Sequence, residues 1–178
     1  MDWMMTYSGV VHTPHEPKPE DIRIIDIAHA LSMICRYGGH ARWFYSVAEH
    51  SVHVSHMVPP EHALEALLHD AAEAYVGDMI IPLKSHWSLT EFKRIEKMND
   101  LAVRIRFGLP HEETPCVKAA DTRIRETEWL TLMMPIPPEM VWEWPRDRDP
   151  TVHLKLWCPE IAEQKFLERY RELCKEGL

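Results

Sequence analysis

The chain has 178 residues, with 28 acidic against 20 basic side chains and a formal net charge of −8, a length that fits one domain of ~100–200 residues. The acidic balance disfavours a protein that grips nucleic acid by its phosphates, which needs a basic face. Apolar runs are short, as in Met79–Ile80–Ile81 and Leu132–Met133–Met134, and the N-terminus lacks a basic region followed by an apolar core, so no membrane-spanning helix or secretory leader is expected and the chain reads as a soluble cytoplasmic protein.

The predicted elements follow in chain order. Residues 1–25 hold Gly9, Pro14, Pro17 and Pro19 among scattered apolar positions, which reads as an irregular arm with a short strand pair near Tyr7–His12. From Asp26, the residues Ile27, Ala30, Leu31 and Ile34 recur at helical spacing until Gly38–Gly39 stops them. A second helix is expected over Phe44–Met57, with Val47, Ala48, Val52 and Val54 on its apolar side. A third starts at Pro59–Pro60, carries Ala63, Leu64, Leu67, Leu68, Ala71 and Ala72 inward, and ends at Gly77. The fourth begins near Ser88, turns Leu89, Phe92, Ile95, Leu101 and Ile105 inward, and stops at Gly108–Pro110. The fifth follows Pro115 and reaches Met134.

Pro135–Pro159 contains six prolines with Trp142, Trp144 and Trp157, and is expected as an ordered, aromatic-packed excursion rather than a helix. Those tryptophans suit packing or subunit contacts better than base stacking in so acidic a chain. A last helix from Pro159 to about Lys175 is expected to bury Ile161, Phe166, Leu167 and Tyr170. Sustained strand alternation is absent, so the fold class is all-α, in a single domain.

Four cysteines (Cys35, Cys116, Cys158, Cys174) lie too far apart for a zinc knuckle or a redox pair and read as free thiols. Histidine is abundant, at 12, and imidazole is the side chain most often recruited for metals and for proton transfer near neutral pH. The sharpest local feature is His69–Asp70 with Glu73, which share neighbouring stripes of the third helix at i, i+3 and i+4. Buried without partners, such groups cost several kcal/mol. A divalent cation removes that cost; so do hydrogen bonds to loops or a surface pair.

His50 on the second helix and Asp121 on the fifth add an imidazole and a carboxylate. Two neutral histidines and two carboxylates form a nitrogen and oxygen set suited to Zn, Mn, Fe, Co or Ni, with positions open for water. His53 and His56 follow His50 at three-residue steps, a stripe that drifts by about 60° per step, so only His50 need point inward. His29 and His40 either line the pocket or cap helices.

The separated pattern His50, His69–Asp70 and Asp121 resembles that of HD-domain metal-dependent phosphohydrolases. The segments Asp26–Ser32, Cys35–His40 and Tyr45–Ser51 are similar to the small bacterial and phage branch containing 5'-deoxynucleotidases, and within it to the phage dATP triphosphohydrolases. The resemblance runs from about Tyr7 to Met134. It implies a compact helical bundle in which His50, His69, Asp70 and Asp121 bind a divalent cation such as Zn, Co or Mn. Glu73 then orients or deprotonates the attacking water, whose pKa a divalent ion brings towards ~7.

Asp78, after Gly77, matches the family's second acidic position. With Glu73 it can instead hold a second ion, or it is simply a turn residue at a helix end. Arg36 matches the arginine that closes the family's first helix and grips phosphate, and Tyr37 beside it can pack on sugar or base. Lys84 and Lys118 would add positive charge. Three cations beside the ion accommodate a triphosphate, while a monophosphate of about −2 charge needs fewer.

The expected activity is removal of phosphate from a purine deoxynucleotide, dATP foremost, by attack at the phosphorus nearest the sugar. The alternatives are a broad 5'-deoxymononucleotidase and a non-catalytic nucleotide-binding module. A small-molecule deoxynucleotide is the expected partner, with no nucleic-acid polymer and no membrane, in a homo-oligomer.

Overall fold

The computed structural model describes residues 2–135 and 148–175. A hairpin of β1 (Met4–Met5) and β2 (Val11–His12) comes first, followed by the helices α1 (Ile24–Met33), α2 (Val47–His56), α3 (Ala63–Leu68) and α4 (Glu73–Val76). Then come α5 (Ile81–Lys84), α6 (Thr90–Phe107), α7 (Pro115–Leu132) and α8 (Pro159–Lys175). The fold is all-α: among the described residues the antiparallel hairpin, pairing Met4 with His12, is the only sheet. No described helix is long and apolar enough to cross a membrane.

Helix α2 lies at the centre, packed against α1, α3, α7 and α8. Val47, Ala48, Val52 and Val54 are buried as their spacing predicts, and so are the polar Glu49, His50, Ser51 and Ser55. With eight of its ten residues buried, α2 has little solvent face before its C-terminal turn, so its buried polar groups need internal partners. Ser51 and Ser55 hydroxyls donate to the Val47 and Val52 carbonyls. Apolar clusters lie on both sides of α2, one joining Ile27, Leu31, Leu67 and Phe166, the other Val54, Val117 and Ile124.

Several boundaries differ from the sequence expectation for local reasons. Helix α2 begins at Val47 and not Phe44, because the Arg36 N–H donates to the Tyr45 carbonyl and the Val47 N–H to the Ile34 carbonyl. Residues before Ser46 are thereby held extended against the chain leaving α1, and the Ser46 hydroxyl caps α2 by accepting from the Glu49 N–H at 3.0 Å. The third expected helix is two, α3 and α4. Between them the Ala71 and Glu73 N–H groups bond three residues back, to Leu68 and Asp70, and such turns rotate by about 120° per residue rather than about 100°.

Helix α6 is rotated relative to expectation. Leu101 and Ile105 are exposed, while Asn99, Ala102 and Val103 face inward. The Asn99 amide fixes that rotation: it bonds His12 Nε2 at 2.9 Å and donates to the Pro14 carbonyl at 2.7 Å, tying the N-terminal arm to α6. In α8 the buried positions are Ala162 and Phe166, Leu167 and Tyr170 are partly buried, and Ile161 is exposed. The four cysteines are free. Trp142 and Trp144 lie outside the described residues; Trp157 packs against the core and stacks on His53.

Glu49, on α2, holds the chain that returns to α8. Its carboxylate accepts from the backbone N–H groups of Lys155, Leu156 and Trp157 at 2.6, 2.9 and 2.6 Å. A charged acceptor is worth about 1.5–3 kcal/mol per hydrogen bond, and part of that is lost when the donors return to water. Glu49→Ala is expected to lower the unfolding free energy by about 3 kcal/mol, and Glu49→Gln by less. Urea denaturation followed by far-UV circular dichroism measures both.

Candidate metal centre

Three packed elements bring the expected ligands together. His50 comes from the middle of α2, His69 and Asp70 from the turn that ends α3, and Asp121 from the second turn of α7. One ligand atom each of His50, His69 and Asp121 lies within 4.8 Å of the others. The two Nε2 atoms are 3.3 Å apart, and His50 Nε2 is 3.3 Å from Asp121 Oδ1. Asp70 Oδ2 joins them, 3.3 Å from His69 Nε2 and 3.6 Å from His50 Nε2.

The hydrogen bonds behind the ligands set the chemistry in front of them. His69 Nδ1 donates to the Ala66 carbonyl at 2.8 Å, and His50 Nδ1 to the Glu128 carboxylate at 2.6 Å. With the ring proton on Nδ1 in each case, both Nε2 atoms present lone pairs to one point, beside two carboxylate oxygens. Four electron-rich atoms repel unless a positive charge sits among them. Ligands about 2.1 Å from one ion are about 3.0–3.4 Å from each other at octahedral or tetrahedral angles, so the 3.3 Å separations match edges of such a shell, while Asp70 Oδ2 lies slightly farther from His50, at 3.6 Å. This donor set fits a divalent cation.

The electrostatics point the same way. Burial opposes a charge on His69, but the Asp70 and Asp121 carboxylates prevail and push its pKa up to about 9: without a cation, the site attracts a proton. Burial also works against ionised Asp70 and Asp121; for Asp70 the His69 and His50 imidazoles overcome it, and for Asp121 those same rings, His50 foremost, do so. Both acids are held below the usual carboxylate range.

Through Asp70 and Asp121 the ligand set borders a cavity of about 690 Å³. Of the expected site residues, Arg36, Tyr37, Asp70, Glu73, Asp78, Lys84 and Asp121 all line it. Glu73 is buried with Oε2 lacking any hydrogen-bond partner. Burial, then the neighbouring Asp70 and Asp78 charges, raise its pKa well above the ordinary value, and burial raises Asp78 as well. An unpartnered buried carboxylate oxygen beside such ligands is suited to hold water or a cation.

Other expected roles are altered. Lys118 is exposed and does not line the cavity: it lies about one turn before Asp121, and the α7 part of the lining begins only at Asp121. Lys84 reaches the cavity but pairs with Glu96 at 2.6 Å. Arg36 is buried, with Nε and Nη2 each 3.2 Å from Glu128 and Nη1 3.5 Å from Asp70. Its fork is therefore largely committed to protein carboxylates rather than open to phosphate. Tyr37 donates its hydroxyl to Glu128 at 2.8 Å and sits at φ +59, a left-handed conformation costing about 1–2 kcal/mol for a residue with a side chain. Gly38 follows it, packed so that a Cβ would lie 3.2 Å from Ile80 on the cavity wall. His40 lines the cavity, whereas His29 stacks on Tyr7 and bonds Glu163, away from it.

Two residues escaped the sequence reading. Glu128, fully buried, bonds His50, Arg36, Tyr37 and Tyr45. Its signal was available, since it follows Asp121 by seven residues, two helical turns on the same face of α7. Arg125, one turn after Asp121, donates to that carboxylate at 3.0 Å and lines the cavity.

No protein-family model matches the chain. It is 44% identical over 128 residues to the uncharacterized protein YfdR of Escherichia coli (strain K12), spanning 72% of this chain and 71% of that protein. The chain belongs to the YfdR family. An uncharacterized protein of Rhodobacter capsulatus is also similar, 38% identical over 133 residues, which is 67% of each chain.

If these ligands hold one ion, purified protein dialysed against Zn or Co retains about one equivalent, and Asp121→Asn and His69→Ala each fall well below that by inductively coupled plasma mass spectrometry. Saturating metal raises the wild-type melting temperature, by a stabilisation of about 2.7 kcal/mol at one hundred times the dissociation constant. Neither variant shows that rise.

Proposed function

We propose that this protein is a metal-dependent phosphohydrolase that removes phosphate from a purine deoxynucleotide, with dATP as the leading substrate. The observation that carries the reading is the convergence of two imidazole lone pairs and two carboxylates at the wall of a cavity, beside the unpartnered carboxylate of Glu73. A structural metal site has no use for that free acid or for an adjoining cavity; a hydrolytic one has use for both. The resemblance of His50, His69–Asp70 and Asp121 to the HD-domain pattern supplies the reaction class and the nucleotide.

His50, His69, Asp70 and Asp121 would hold the cation. When bound, it supplies positive charge that lowers the pKa of water and offsets the charge of a phosphate. Glu73, with its free oxygen and a raised pKa, accepts the proton of the attacking water. Asp78 keeps Glu73 basic through its negative charge. Lys84 and Arg125 face the phosphates, and Arg36, held by Glu128, presents one edge to them. Ile80, Ile81, Pro82 and Trp129 form an apolar wall for sugar and base.

One observation favours a second reading, a 5'-deoxymononucleotidase. Lys118 is outside the cavity, and each lining cation already has an acidic partner: Arg36 with Glu128 and Asp70, Lys84 with Glu96, Arg125 with Asp121. A monophosphate, with about −2 charge, demands less positive charge than a triphosphate.

Separate incubation of metal-loaded protein with dATP and with dAMP, resolved by ion exchange, tests both readings. The dATP reading expects deoxyadenosine and triphosphate from dATP. Turnover of dAMP alone overturns that reading in favour of the second, and nucleotide binding without any turnover overturns both. Glu73→Gln is expected to lower kcat by about 10²–10⁴-fold while metal content, read by mass spectrometry, stays at the wild-type level.

A further inference from the structure

The ligand side of the cation site and the cavity wall meet at one buried carboxylate. Glu128 Oε1 accepts from His50 Nδ1 at 2.6 Å and from the Tyr45 hydroxyl at 2.8 Å. Glu128 Oε2 accepts from the Tyr37 hydroxyl at 2.8 Å and from Arg36 Nε at 3.2 Å, and Arg36 Nη2 lies at the same 3.2 Å distance. We propose that Glu128 is a positioning residue: it holds His50 in the tautomer that offers Nε2 to a cation, and with its other oxygen it fixes Arg36 and Tyr37 on the cavity wall. This rests on the reading of His50, His69 and Asp121 as a cation site, and not on any substrate.

The donors around Glu128 are not equivalent, and the difference makes the role testable. A guanidinium can only donate. A tyrosine hydroxyl can turn to accept, and a neutral imidazole can move its proton to the other nitrogen. A carboxylate accepts on both oxygens and so serves all its partners at once. Glutamine has nearly the same shape but accepts on one side and donates on the other. In Glu128→Gln the amide oxygen is drawn to Arg36, the partner that cannot reverse. The amide NH₂ then faces His50 and Tyr45. Tyr45 answers by rotating its hydroxyl, and His50 answers by carrying its proton on Nε2.

That proton lies where His50 Nε2 meets His69 Nε2 at 3.3 Å and Asp121 Oδ1 at 3.3 Å. One ligand is thereby lost without any ligand residue being changed. Carboxylates placed behind metal-binding imidazoles in this way are worth about 10–100-fold in affinity. The same exchange leaves the Arg36 and Tyr37 side of the carboxylate supplied, so the defect falls on the cation and not on the wall.

The test compares Zn affinity by competition titration in the wild type and Glu128→Gln, with long-range ¹H–¹⁵N spectra of His50 in both proteins and circular dichroism as the check of folding. The expected result is a folded variant whose Zn affinity is about 10–100-fold weaker and whose His50 proton sits on Nε2, against a Zn-loaded wild type with the proton on Nδ1. Equal affinities within twofold overturn the proposal. So does a Zn-loaded wild type in which Nδ1 of His50 carries no proton, a measurement that needs no variant and decides the matter even if Glu128→Gln does not fold. A wild type that takes up no Zn overturns the cation site and this inference together, whereas uptake with an unaffected variant overturns this inference alone.

Discussion

Electron pairs forced to face one another govern this molecule. His50 and His69 direct their Nε2 atoms at each other across 3.3 Å, with Asp70 and Asp121 oxygens at similar range. Such an arrangement is unfavourable unless positive charge is drawn in. The raised pKa of His69 and the depressed ones of Asp70 and Asp121 are two expressions of that demand.

Much of the rest of the architecture serves to keep those four side chains from relaxing apart. His50 sits in the middle of the largely buried helix α2 and is itself fully buried, so the residue cannot swing to solvent. Helix α7 carries both Asp121 and Glu128 on one face, so the same rigid element that presents a ligand also braces the opposite ligand from behind. The Ala66 carbonyl does for His69 what Glu128 does for His50. Glu49, next to His50, binds the incoming backbone of α8, and α8 in turn closes the core over α1 and α2. Polar groups in this interior are thus arranged in layers: ligands, then the acceptors that fix their tautomers, then the carboxylate that anchors the covering chain.

The cavity has a mixed character that follows from the elements meeting there. Acidic groups come from the α3–α4 turn and α7, apolar side chains from the segment leading into α5, and the basic edge from the left-handed turn at Tyr37 and from Arg125. Burial, with the neighbouring acids, lifts Glu73 well above its ordinary range and shifts Asp78 upward as well. Each of the cations Arg36, Lys84 and Arg125 is already matched to an acid, and the lining acids outnumber them.

Helical periodicity and proline and glycine stops were enough to read the all-α class and most helix positions, and the spacing of the histidines and acids, with the HD-domain resemblance, pointed to His50, His69 and Asp121, which the fold brings together, because these depend on local geometry and on chemistry that few residue types can supply. What the chain alone did not reveal depends on long-range contacts. The rotation of α6 follows from Asn99 reaching the N-terminal arm, the division of the third helix from turns tightened around His69–Asp70, and the commitment of Arg36 from a carboxylate 92 residues away. Glu128 lay in plain view two turns beyond Asp121, yet its partners come from three other stretches of chain. A side chain's type is local, but whether its charge faces a cavity or a buried partner is decided only when distant segments pack, and at this site that packing assigns the roles.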